Sequence, residues 1–328
     1  METSGNTSQA GKAPRSSLST REKIIFGIVF ALVIVALAEV VCRFVEAMRR
    51  AQVADYVAQW ETQWKGDFWV LKGEEANSDG CRDREHAVDA EPESWRIACL
   101  GDSVTMGWGV PGEAAYPSIL ERELERRGSP AEVFNVSMVG WSARQEAVAY
   151  ERILRKYQVD DVILGVCLND IPEMQNNIVP SDVTHPVARL AKWSALVRVA
   201  VGAETREIRN VEELFNREGT AHVERGWGLV VEEIRRVRQM LAKDGVRLLV
   251  VAFPFRFQVE PGAPDPLPQQ RLAAFCREEG IPFIDMLETL RPLGGAAFVD
   301  HDHLSTRGNQ AVVRALLASG LLQPPDRP

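Results

Sequence analysis

The stretch RIACLGDSVTMG, residues 96–107, decides how the rest of the chain is read. Arg96–Leu100 is an apolar run without polar alternation, as expected of a strand covered on both faces. Gly101 lets the backbone bend, and Asp102, Ser103 and Val104 open a helix-like segment. Similar strand-like runs follow at Glu132–Val136, Val162–Cys167, Val246–Phe253 and Ile281–Met286. Helix-like segments lie between and after them, near Ala115–Arg127, Ala143–Tyr157, Leu229–Lys243, Leu267–Glu279 and Asn309–Ala318. This alternation implies an α/β fold, a three-layer α/β/α sandwich around a mostly parallel five-stranded sheet with right-handed crossovers. Residues 171–228 interrupt the rhythm as a long mixed insertion. It follows the third strand, so it falls near the carboxyl ends of the sheet, where open α/β folds keep their sites.

Each distinctive motif sits at a strand exit. Gly101-Asp102-Ser103 places a serine in a strand-to-helix turn, with neighbouring amides facing whatever Ser103 attacks. A simple helix cap explains the same residues. A phosphate loop does not, because Gly107-Trp108-Gly109 completes neither GxGxxG nor GxxxxGK[ST]. Asn135-Val136-Ser137-Met138-Val139-Gly140 ends the second strand, where Gly140 can offer an unobstructed N–H. Gly165-Val166-Cys167-Leu168-Asn169-Asp170 ends the third, where the Asn169 amide can donate into the same pocket.

The fourth motif is Val299-Asp300-His301-Asp302-His303-Leu304-Ser305, ahead of the last helix. Alternating Asp and His invite a metal reading, but no second His/Asp/Cys cluster completes a coordination sphere. Asp300 stands three residues before His303, so one turn can bring its carboxylate against the imidazole and fix the tautomer. Asp302 is expected to cap the helix that follows. Together the motifs supply a nucleophile, a base with its orienting acid, and donors for a tetrahedral oxyanion.

With these blocks in this order, the chain resembles the SGNH/GDSL-type serine hydrolases (lipases and acylhydrolases) over roughly residues 94–320. Its third block carries one residue more between Gly165 and Asn169 than the family's G-x-x-N-D, so only Asn169 is carried over. The resemblance implies a flavodoxin-like sandwich, Ser103 as nucleophile, His303 as base and Asp300 as its acid. It also implies an oxyanion hole built from Ser103, Gly140 and Asn169. The implied activity is cleavage of a carboxylic ester through an acyl-enzyme, with no cofactor and no metal. The same groups serve an O-acyltransferase modifying a cell-envelope polysaccharide, and a non-catalytic envelope-binding protein of this fold is a third alternative. Asn77–Glu85 also looks like a stretch found ahead of the serine block in membrane-tethered bacterial members.

The N-terminus agrees with that tethered type. Residues 1–22 read as a disordered tail, and 23–42 as a transmembrane helix or uncleaved signal anchor, since Ile24–Cys42 contains one ionisable residue, Glu39. A cleaved signal peptide is the competing reading, with Ala36-Leu37-Ala38 as a small-x-small site. Either places the bulk outside the cytoplasm, periplasmic or at the cell surface. Residues 43–93 form a juxtamembrane helix, over 43–70, and a lead-in loop, and 94–328 the hydrolase domain.

Charge supports a small-molecule or glycan-linked ester as partner, besides the membrane. Residues 1–50 carry seven Lys/Arg against four Asp/Glu, and the remainder 31 against 42. A body this acidic is poorly suited to nucleic acid, whose affinity comes largely from phosphate neutralisation. The five cysteines are widely spaced without a CxxC, which argues against a zinc knuckle or disulfide scaffold.

Overall fold

A computed structural model describes residues 19–57, 61–65, 68–73, 75–89, 94–171, 194–196 and 211–325. Most of the expected tail and most of the 171–228 insertion lie outside the described residues. The contacts divide the chain into one unit of residues 1–51 and 184–201 and another of 52–183 and 202–328.

Helix α1 (Thr20–Val57), most of which belongs to the first unit, starts inside the stretch expected to be tail. A reciprocal cap explains the early start. Ser19 N–H donates to the Glu22 carboxylate at 2.7 Å, and the Glu22 N–H donates to Ser19 Oγ at 3.3 Å. Thr20–Val45 has an apolar window of mean hydropathy 3.0, none of it buried, long and apolar enough to cross a membrane. Glu39 accepts hydrogen bonds from Arg43, from Ser194 Oγ and from the N–H groups of Ala195 and Leu196.

The expected helix over 43–70 is not found at full length. Helix α1 stops at Val57, and strands β1 (Glu61–Lys65) and β2 (Phe68–Lys72) pair antiparallel, with Trp64 opposite Trp69. Aromatic residues on either side of a Gly66-Asp67 dipeptide in the sequence suit paired strands better than one continuous helix.

The larger unit holds the parallel sheet. Its strands are β3 (Trp95–Gly101), β4 (Ala131–Ser137), β5 (Asp161–Cys167), β6 (Arg247–Phe253) and β7 (Phe283–Asp285), in spatial order β4-β3-β5-β6-β7. Every residue of β3 and β5 is buried, which is why neither alternates in polarity. After β3 come the short helix α2 (Ser103–Met106) and α3 (Tyr116–Arg126). Helix α4 (Ala143–Arg152) follows β4, α5 (Ala221–Asp244) precedes β6, and α6 (Leu267–Glu278) precedes β7. Helices α7 (Leu287–Leu290) and α8 (Thr306–Ala318) complete the unit. Asn309 of α8 accepts a hydrogen bond from the Tyr116 N–H of α3. On α5, Arg235 and Arg238 pair with Glu279 at the end of α6. The result is the expected three-layer sandwich. Helix α5 begins at Ala221, within the stretch assigned to the insertion, because Thr220 caps it and its buried face already includes Val223, Gly226 and Trp227.

The order places β3 between β4 and β5, so the chain leaves β3 in opposite directions at its two neighbours. That is the topological switch point, and ligands of open α/β sheets bind outside it. The lead-in loop is fastened against β3 and β4. His86 stacks on Phe134 and bridges Asp83 and Glu132, with both ring nitrogens within 2.9 Å of a carboxylate oxygen. The buried thiols of Cys81, Cys99, Cys167 and Cys276 form no disulfide among the described residues.

Candidate active site

Ser103 begins α2 directly after β3, with Asp102 as the cap: its Oδ1 accepts the Val104 N–H at 2.9 Å. Close packing fixes this short helix on the sheet. A Cβ on Gly101 would lie 2.2 Å from Thr105 Oγ1, and one on Gly165 would lie 2.6 Å from the same atom. The two glycines therefore make a slot on adjacent strands for Thr105, two residues after the serine. This accounts for Gly165 without giving it a place in the chemistry. At the other end of α2, Gly107 takes a left-handed conformation (φ 78°). The Arg82 guanidinium, from the lead-in loop, donates to the carbonyls of Gly107 at 2.8 Å and Val110 at 3.0 Å.

The segment after residue 298 brings His303 to Ser103. Val299 N–H donates to the His303 carbonyl, Ser305 N–H to Ala297, and Arg256 N–H to His301. Within this turn Asp300 Oδ1 accepts the N–H groups of Asp302 and His303. His303 Nε2 lies 2.9 Å from Ser103 Oγ, and its Nδ1 lies 2.7 Å from Asp300 Oδ2. The Asp300 bond assigns the neutral ring proton to Nδ1, so Ser103 Oγ–H donates to Nε2.

Asp302 does not cap the following helix. Ser305 does, accepting the Gly308 N–H at 3.2 Å. Asp302 instead turns inward, 1% exposed, with Oδ1 3.1 Å from His303 Nδ1. Its Oδ2 accepts from Asn169 Nδ2 at 3.3 Å. A carboxylate three residues from a capped helix start looks like a cap in sequence, and only the turn geometry reverses that.

Four of the five expected site residues are thus joined by contacts: Ser103, His303, Asp300 and, through Asp302, Asn169. Gly140 stands at the same edge, three residues beyond Ser137, which pairs with Gly101. Its φ of 73° lies in the left-handed region that favours glycine.

Burial alone would lower the His303 pKa. The hydrogen bond to Asp300 and the charges of Asp302, Asp300 and Asp102 outweigh it, so the imidazole titrates above 6.5. Burial would raise Asp300, but its bonds to His303 and the backbone hold it well below the usual carboxylate range. Beneath the serine, burial raises Asp102 to about 6. Glu146 of α4 is pushed well up by burial and then by the charge of Asp102. Sequence reading missed Glu146, and missed Trp108, whose ring centre lies 6.0 Å from that of His303.

Asp300, His301 and Asp302 bring ligand-type atoms within 4.8 Å of one another. Asp300 is already engaged with His303 Nδ1 through a hydrogen bond, and Asp302 lies 3.1 Å from the same nitrogen.

A serine hydrogen-bonded to a histidine that an aspartate orients, at the switch point of a parallel α/β sandwich, is the arrangement of a serine hydrolase. The chain belongs to the GDSL-like Lipase/Acylhydrolase family, which it matches over residues 99–311. Membership implies hydrolytic activity of the esterase type. No curated protein gives a match. Among solved structures it is similar to a member of the lipolytic protein G-D-S-L family from Veillonella parvula DSM 2008, at 17% identity, covering 70% of this chain and 100% of that one, TM-score 0.44. It is also similar to an acetylxylan esterase from Geobacillus stearothermophilus, at 13% identity, 71% and 97% coverage and TM-score 0.45. A third similarity is to an α/β hydrolase from the metagenome of Lake Arreo, Spain, at 14% identity, 69% and 94% coverage and TM-score 0.46.

Proposed function

We propose that the protein is a membrane-anchored serine esterase that cleaves a carboxylic ester through an acyl-enzyme. The observation that carries this is the chain of contacts from Ser103 Oγ to His303 Nε2 (2.9 Å) and from His303 Nδ1 to Asp300 Oδ2 (2.7 Å). Ser103 Oγ attacks the ester carbonyl carbon while His303 Nε2 takes its proton. Asp300 compensates the imidazolium. The tetrahedral oxygen is held by the Ser103 and Gly140 N–H groups and the Asn169 amide. Collapse expels the alcohol, which leaves with the proton from His303. Water, deprotonated by the same nitrogen, then releases the acid and restores Ser103. Helix α1 anchors the chain by its apolar stretch, with the hydrolase domain outside the cytoplasm.

A serine-directed fluorophosphonate tests the reading on the full-length protein in detergent. Labelling and hydrolysis of 4-nitrophenyl acetate are both expected, and both are lost in Ser103→Ala. An unlabelled wild type, or a Ser103→Ala variant that still turns over, removes the proposal. An ester panel with and without sugar acceptors then distinguishes hydrolysis from transfer.

A further inference from the structure

We propose that Asp302 is a positioning residue whose buried carboxylate links the Asn169 amide to the His303 imidazole and holds both in register with Ser103. This rests on the serine-esterase reading above and deepens it. The sequence assigned Asp302 to a helix cap, and that task belongs to Ser305.

The geometry gives the carboxylate two separate tasks. Oδ2 accepts from Asn169 Nδ2 at 3.3 Å, and Oδ1 lies 3.1 Å from His303 Nδ1. A side-chain amide carries two N–H donors. Engaging one with Asp302 restrains the plane of the Asn169 amide, the group read above as a donor to the oxygen of the tetrahedral intermediate. An oxyanion donor is effective only when it is held in place before charge develops. Asp302 supplies that restraint from a site where water does not compete.

The second task concerns the proton on the imidazole. Asp300 Oδ2, at 2.7 Å, is the nearer acceptor of the His303 Nδ1–H, but its side chain is 33% exposed and its charge is screened. Asp302 is farther and 1% exposed, so its charge reaches the ring through protein rather than solvent. The groups facing the ring are Asp300 and Asp302 from its own turn, His301 beside them, Trp108 after α2 and Asp102 from the end of β3. Glu146 of α4 acts on Asp102 in turn. Each carboxylate favours the imidazolium formed when Ser103 gives up its proton. Asp302 also accepts a hydrogen bond from the oxyanion donor, and so it couples base and donor.

The coupling predicts pH shifts of opposite sign. In Asp302→Asn the ring loses a buried negative neighbour, so the acid limb of kcat/KM for 4-nitrophenyl acetate moves to lower pH by about one unit. In Asn169→Ala the carboxylate loses a donor that competes for its charge, so the limb moves to higher pH. The Asp302→Asn/Asn169→Ala double variant should lose less kcat than the product of the two single losses, because part of the Asp302 effect passes through Asn169. The experiment is this series on the full-length protein, beside wild type and Ser103→Ala. An unmoved acid limb in Asp302→Asn, or losses in kcat that multiply fully in the double variant, overturns the proposal. If Asp302→Asn does not fold, the limb of Asn169→Ala decides alone, and an unmoved limb there overturns it. Persistent activity in Ser103→Ala would instead sink the esterase reading, whatever Asp302 does.

Discussion

Glu146 lies in the first turn of α4, fully buried, and no described residue hydrogen-bonds its carboxyl oxygens. Its raised pKa follows from burial and from Asp102, and it makes stability depend on pH. Below the ordinary value of 4.5 the carboxyl is protonated in both folded and unfolded chains and exerts no penalty. As pH rises, the unfolded chain ionises first, and the relative stability of the folded state falls by up to about 1.4 kcal/mol per pH unit until the folded pKa is passed. Glu146→Gln removes the titration and keeps the shape. The stability difference between variant and wild type should therefore grow in the variant's favour from pH 5 to pH 7.5, read from denaturant midpoints. A difference independent of pH would mean that Glu146 is ionised in the folded protein. Single residues divide sharply in legibility. That Ser103, Asp300 and His303 come together could be expected because order and short spacing carry them, whereas Glu146 and Asp302 depend on partners distant in the chain.

Among elements, α2 has only four residues and holds the serine, and most of what secures it comes from outside. Thr105 sits in the slot left by Gly101 and Gly165, and Arg82 reaches from the lead-in loop to the carbonyls beyond the helix. Its Nε also pairs with Glu75 at 2.8 Å. Arg82→Ala leaves buried carbonyls without this donor, which costs about 1–3 kcal/mol of stability. Because α2 carries Ser103, kcat should fall roughly tenfold while KM stays within about twofold. Arg82→Lys should recover part of kcat, and equal activity in all three proteins would separate the loop from the chemistry. The five sheet strands were legible because apolar runs of strand length with flanking glycines leave few alternatives. The β1–β2 hairpin was hidden by its neighbourhood, since tryptophans following a long apolar helix read as its continuation. The start of α5 was hidden by Gly226 and Gly228, which argue locally against a helix that tertiary burial then imposes.

For the whole molecule, the proposed anchor gives the most direct test. The exposed apolar stretch of α1 predicts that the full-length protein remains in the membrane fraction through carbonate washing, and that a chain starting at residue 51 is released. Loss of the intact protein to the wash would rule out the anchor, and an intact mass beginning at Glu39 would replace it with a cleaved signal. The sandwich and the ester chemistry could be read from the chain because alternation and four short motifs are local signals. The substrate could not, because the expected insertion over 171–228 has little internal pattern and its role depends on what it meets in space.

The buried thiols have a consequence for handling and lifetime. Burial pushes Cys276 up to about 12 and raises Cys99 and Cys167 further, so almost no thiolate is available to oxidants while the chain is folded. Unfolding releases the four buried thiols together, with no disulfide among the described residues to guide their pairing. In air, or in any oxidising compartment, each excursion to the unfolded state then risks random cross-links that block return. The useful life of the protein is accordingly set by how often it opens, and a reductant should prolong activity during heating while changing nothing in the cold.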